Sequence, residues 1–312
     1  MNIVLEHWSF DPMLVVILAT VLAHEVGLAR LKLHSATSRV ATRRRRSILF
    51  YLGLATLVIA IESPIDYWSS SYFYVHMLEH LLLAFFAPML IVAGAPWVPM
   101  MFALPVSSRR SLGRFMFLSP KTRALRSFGR FARHPWTAVL SFNAVMVLWH
   151  VPALFDWSER NTVVHIWLMH ASFIVTGILF WLQFIASHPM KPARGPVFQV
   201  TSLVATNLVM TVLAMSMSIL TSVSWYASYA HVPHAVMSPF ADQQIGAAIL
   251  WVCGDFWALP WIYVIIRRSL EREGSFTGAF DRIMGRGAAP PIESFRKVAA
   301  ARDDSSTVDL DD

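Results

Sequence analysis

His76 and His80 lie four residues apart in Tyr74-Val75-His76-Met77-Leu78-Glu79-His80, near the head of an apolar run that reaches Gly94-Ala95-Pro96. Four residues is close to one turn of an α-helix, so the spacing predicts two imidazoles stacked on one face. Neutral imidazole ligates copper, zinc and heme iron. The pair can hold one ion from a single helix, or one ring can ligate while the other, or Glu79, orients it. More histidines recur near the ends of other apolar runs: His150, His165, His170, His231 and His234. His165 and His170 are five apart, a spacing that points them to different sides of an α-helix. At most one is therefore expected to join the pair, and His170, the deeper, is preferred. Thioether sulfur suits Cu(I), which adds Met215 and Met217, and Met146, as candidate soft ligands. Methionine is equally an apolar filler. Each histidine also has a plainer reading, as a helix cap or a hydrogen-bonding group at a wet interface.

These residues need a scaffold, and the composition says which kind. The chain of 312 residues is 56% hydrophobic and only 14% charged, where a soluble domain carries roughly a quarter charged residues. Mean hydropathy is +0.52. The expected fold is an all-α polytopic membrane helix bundle. Seven apolar runs, at about 12–33, 47–64, 75–98, 135–155, 163–186, 197–224 and 242–266, are long enough to cross a bilayer. They are expected to be helical, because lipid offers the backbone no hydrogen-bond partners. The formal charge of +7 does not point to nucleic acid, because the basic residues sit in short loops between apolar runs.

Those loops alternate. Arg30, Lys32, Arg39 and Arg43–Arg46 follow the first run, eight Lys and Arg between Arg109 and Arg133 follow the third, Lys191 and Arg194 the fifth, and Arg267-Arg268 the seventh. The other connections hold Glu62 and Asp66, then Asp156, Glu159 and a single Arg160, then neither Lys nor Arg over 225–241. The positive-inside rule therefore places the N-terminus outside and the C-terminus in the cytoplasm of a multi-pass plasma (cell inner) membrane protein. No basic n-region or cleavage site precedes the first run, which is expected to be retained. Residues 1–266 form the transmembrane domain, and 267–312 a polar cytoplasmic tail that ends Asp311-Asp312 and reads as disordered. The loop 99–134 mixes Phe115, Phe117, Phe128 and Phe131 with arginines and reads as an amphipathic segment on the membrane surface. Tryptophans at 8, 68, 157 and 225, and at 136 and 261, fall at the two predicted interfaces.

With that orientation His76, His80, His150, His165, His170, His231, His234 and Asp242 converge on the extracytoplasmic third. His24 and Glu25 in the first run and Asp255 in the seventh lie deeper, as a proton path or a mutual hydrogen bond that fixes packing. The lone Cys253 excludes copper transfer through a cysteine pair. No run carries a central lysine, which excludes a retinal Schiff base; an ion or proton carrier stays open.

The run from Tyr74 to Leu83 with Ala87-Pro88-Met89-Leu90 and Gly94-Ala95-Pro96 resembles the signature of the CtaG family of cytochrome c oxidase assembly factors. Trp149-His150-Val151-Pro152, the stretch from His170 to Phe180-Trp181, and Asp242-Gln243-Gln244-Ile245-Gly246 fit it too. The resemblance spans most of 10–266. It implies a seven-helix membrane protein without catalytic activity that helps mature a terminal oxidase. Its partners are then oxidase subunits, membrane lipid and an extracytoplasmic copper donor. The motif residues carried over are His76, His80, His150, His170 and Asp242. Three readings of the site stay open: a copper site of His76, His80, His150 and His170 with Met215 or Met217; a metal-free scaffold for an oxidase subunit; and a heme protein with His80 and His150 or His170 as axial ligands.

Overall fold

A computed structural model of the chain describes residues 7–32, 40–232 and 236–273. Every regular element among them is helical. Five helices are long and apolar enough to cross a membrane, and a sixth span is obtained if one bent pair counts as a unit. They correspond to α1 (Met13–Lys32), α4–α5 (Phe73–Leu81 and Ala87–Gly94, joined by a π-helical stretch Leu82–Phe86), α11–α12 (Thr162–Val164 and Ala171–Trp181, joined by a second π stretch His165–His170), α13 (Pro196–Ser218) and α14 (Pro239–Glu273). The bent pair is α9 (Pro135–Trp149) with α10 (Pro152–Glu159). The run expected at 47–64 falls in α2 (Val40–Glu62), uncharged between Arg46 and Glu62. Short α3 (Pro64–Ser69) and α6 (Trp97–Phe102) lie in connections.

Two departures from the expected spans have a common cause in proline. The fourth run was expected to continue to 155, but its helix stops at Trp149 and turns through 75°. Pro152 forces Val151 into extended backbone (φ −68°, ψ 122°), as the residue before proline prefers. In α4–α5, Pro88 lacks an N–H and its ring would clash with the carbonyl of Ala84 in a regular helix. The backbone widens to π geometry over Leu82–Phe86 just before it. The facing residue on α12 is Gly177, where a Cβ would sit 2.4 Å from the Ala84 carbonyl oxygen. Only glycine permits that approach.

The chain divides into two units, one through Ala258 and one from Leu259. In the first, rings of α4–α5, α9, α12 and α14 form an aromatic layer. Phe142 stacks on Phe180 at 4.4 Å, and Phe85 lies 4.6 Å from Trp257. A second layer of Phe73, Phe155, Tyr226 and Tyr229 has centroids 4.4–5.9 Å apart. The loop expected to be amphipathic contains α7 (Val106–Leu118) and α8 (Arg123–Ala132), with Phe117, Phe128 and Phe131 exposed. Arg126 ties the two by donating to the Met116 carbonyl of α7 at 3.1 Å. In the second unit α14 continues to Glu273, with an exposed Arg267–Glu271 pair at 2.9 Å. The tail beyond Glu273 lies outside the described residues, as do His34 and His234.

Candidate metal centre

His76, Glu79 and His80 share the inner face of α4, all buried. The two Nε2 atoms of the histidines are 2.7 Å apart. His76 Nδ1 lies 2.9 Å from the Tyr229 hydroxyl, which donates onward to the Ser69 carbonyl at 2.7 Å. Burial pushes the Tyr229 hydroxyl well above its ordinary pKa, so it remains a donor. The network then fixes the tautomers. His76 donates from Nδ1 to Tyr229 and accepts at Nε2 from His80 Nε2–H, which leaves His80 Nδ1 without a hydrogen-bond partner.

The expected opposition of His165 and His170 is not observed. Their ring centroids are 4.3 Å apart. The reason is the π stretch that starts at one and ends at the other. A π-turn closes i to i+5, so residues five apart fall nearly one above the other. His165 then lies 5.3 Å from His76, centroid to centroid, and His170 6.4 Å from His80.

Two carboxylates complete the cluster. Glu159 is carried back over the site by the bend at Pro152. Its Oε1 lies 2.9 Å from His165 Nδ1 and 3.5 Å from His76 Nδ1. Glu79 Oε1 lies 3.2 Å from His170 Nε2. Two groups of donor atoms follow, each within 4.8 Å of one another: His76, Glu159 and His165, and Glu79, His165 and His170. Both are two-histidine, one-carboxylate sets, and His165 belongs to both. Glu79 Oε2, His80 Nδ1 and His170 Nδ1 are buried with neither a hydrogen bond nor an ion pair at these atoms. Native interiors leave few polar atoms so, and these three crowd one site.

His150 lies beside the cluster, 6.1 Å from His80 between centroids. Its Nδ1–H donates to the Met146 carbonyl at 2.6 Å. The lone pair is therefore on Nε2, which faces the Met77 sulfur at 3.3 Å. Neither atom donates to the other, so they form a nitrogen–sulfur donor pair. Of the methionines named from sequence, Met215 is 36% exposed on α13, and the sulfur of Met217 accepts from the Tyr226 hydroxyl at 3.4 Å. The thioether at a site imidazole is Met77, inside the motif itself. His231 is exposed in its loop.

The segment 224–229 is tied to the helices that carry the cluster. Asp156 accepts from Ser228 N at 3.0 Å and Ser228 Oγ at 2.7 Å, and Gln243 Oε1 accepts from Trp225 N at 2.6 Å. Asp242 is a positioning residue. It accepts from the free amides of Phe73 and Tyr74 at 2.8 and 2.9 Å and so anchors the start of α4. Elsewhere, His24 Nδ1 lies 2.7 Å from the Tyr51 hydroxyl, which donates to Glu25. The side chain of Asp255 lies outside the described residues.

Glu159, His165 and Tyr229 were not legible as partners of His76. Glu159 reads as a loop charge, and only the angle at Pro152 brings it back.

Residues 24–272 match the family model described as cytochrome c oxidase caa3 assembly factor. An uncharacterized protein of Mycobacterium bovis and one of Mycobacterium tuberculosis are each 30% identical over 277 residues, 84% of this chain. An uncharacterized protein of Mycobacterium leprae is 27% identical over 83% of it. The chain spans 39% of the length of the first two relatives and 38% of the third. No solved structure matches it. With four-fifths of its length matched and the motif histidines gathered in one buried site, the chain belongs to the family of cytochrome c oxidase caa3 assembly factors.

Proposed function

We propose that the chain is a non-catalytic membrane factor for assembly of a cytochrome c oxidase, and that its histidine–carboxylate cluster carries copper as cargo for the oxidase. Seven spans with the N-terminus outside put the cluster on the extracytoplasmic side of the cell membrane, within reach of an extracytoplasmic copper donor. The observation that carries the reading is the convergence of buried imidazole and carboxylate groups next to the His150–Met77 pair. Imidazole and thioether together suit copper. An ion would take up lone pairs that are otherwise costly to bury. The packing does not favour heme, since Phe173 and Phe155 lie 4.6 and 4.8 Å from His80 and His76. The hydrogen bonds among His76, His80 and Tyr229 hold the site together by themselves, which favours a metal-free scaffold as the second reading.

Metal content and the absorption spectrum of protein purified in detergent, with and without Cu(I) or Zn(II), separate the two. About one copper per chain, lost in His76→Ala/His80→Ala and without a Soret band, is the expected result. Absence of copper at Cu(I) levels that load a known carrier leaves the scaffold.

A further inference from the structure

A second polar site lies apart from the histidine cluster, where the end of α1, the first turns of α2 and the turn after α5 meet. It is a cavity of about 290 Å³. That is just below the range of drug-sized ligand cavities, which start at about 300 Å³. Arg43 and Arg46, one helical turn apart, line it with Thr42, Ser47, His24 and His188. Its described lining includes no acidic residue. The tetrad Arg43–Arg46 is split by the helix. Arg44 and Arg45 are exposed, whereas Arg43 and Arg46 are partly buried on the cavity side. The positive end of the α2 dipole adds to the field there.

The walls are not slack. At Gly94 a Cβ would lie 2.6 Å from Phe50 N, and at Gly27 it would lie 1.8 Å from the Pro99 carbonyl oxygen. α2 against α5 and α1 against α6 are thus in backbone contact around the cavity. Ala95 adopts left-handed backbone (φ 49°), which turns the chain away after α5.

We propose that this cavity binds a phosphate-bearing anion, held by Arg43 and Arg46 with the hydroxyls of Thr42 and Ser47. Arginine pairs phosphate oxygens through parallel N–H bonds, and basic pockets between membrane helices take anionic headgroups. In the orientation proposed above the cavity lies at the cytoplasmic ends of the helices, so the anion comes either from a leaflet phospholipid or from solution.

The test uses the full chain in detergent and two charge-matched variants, Arg43→Gln/Arg46→Gln and Arg44→Gln/Arg45→Gln. Native mass spectrometry reads retention of added phosphatidylglycerol against phosphatidylcholine, and thermal melting reads inorganic phosphate. Phosphatidylglycerol binding that weakens about tenfold in the first variant alone assigns the lipid. A phosphate-induced rise in melting temperature with the same dependence, without lipid selectivity, assigns the soluble anion. Equal effects in both variants, or binding of neither probe, overturn the proposal. Helical circular dichroism and the elution volume of the first variant establish that it is folded, and Arg43→Lys/Arg46→Lys, which keeps the charge, checks the role of guanidinium geometry.

Discussion

His165 belongs to both donor sets, whereas His150 faces only Met77. Their alanine variants should therefore separate. His165→Ala is expected to weaken copper binding about 10- to 100-fold in competition with a chromophoric chelator, and His150→Ala less. Equal losses would argue against the two-set geometry. Outside the membrane spans, burial raises the carboxyls of Asp11 and Asp66 above 3.8, although a hydrogen bond from Ser9 offsets part of the rise at Asp66. The folded chain thus holds these protons more tightly than the unfolded one. Their stabilising contribution is complete below pH 3.8 and is lost as pH rises through the raised value. Asp66→Asn should accordingly raise the melting temperature at neutral pH by about 2–4 °C, and the gain should vanish as pH falls towards 3.8. A gain that persists in acid would point to another cause.

At the scale of elements, the two π stretches decide what the helices present. The one before Pro88 has a visible cause in the sequence. The one at His165–His170 has none, since it contains neither proline nor glycine, and a regular helix is the natural expectation. That is why the His76/His80 pair was legible from a spacing of four while His165 was not. Deleting Leu168, a half-exposed residue between the two histidines, should restore a regular helix with the rings four apart and still on one face. Copper binding is expected to survive this deletion. Inserting an alanine at the same place sets the two histidines six apart, about 120° from each other in a regular helix, and binding should be lost. Loss in both variants would show that the π geometry itself, rather than the facing of the two rings, is required.

For the whole molecule, the alternation of basic and acidic loops is what the proposed orientation rests on, because insertion is read from Lys and Arg near span ends. Reporter fusions after Glu273 should be active in the cytoplasm, and those in the 225–232 loop outside; the reverse pattern would place the cluster on the wrong side for the proposed role. What the loops do not encode is rotation about each helix. Met215 and Met217 have suitable depth, but one faces outward and the other meets Tyr226. Conversely, Glu79 was named as an orienting group whereas Met77 was not singled out, and only the packed bundle shows which ring each one addresses.

The sulfur beside His150 belongs to Met77, and this choice of atom has a consequence for the compartment in which the site would work. A thiolate exposed to an oxidising milieu is captured as a disulfide unless a reductant keeps it free. A thioether cannot form that bond. Its damage is sulfoxidation, which needs an oxidant to reach the sulfur. Met77 is 1% exposed, so its sulfur needs no reducing partner to stay free.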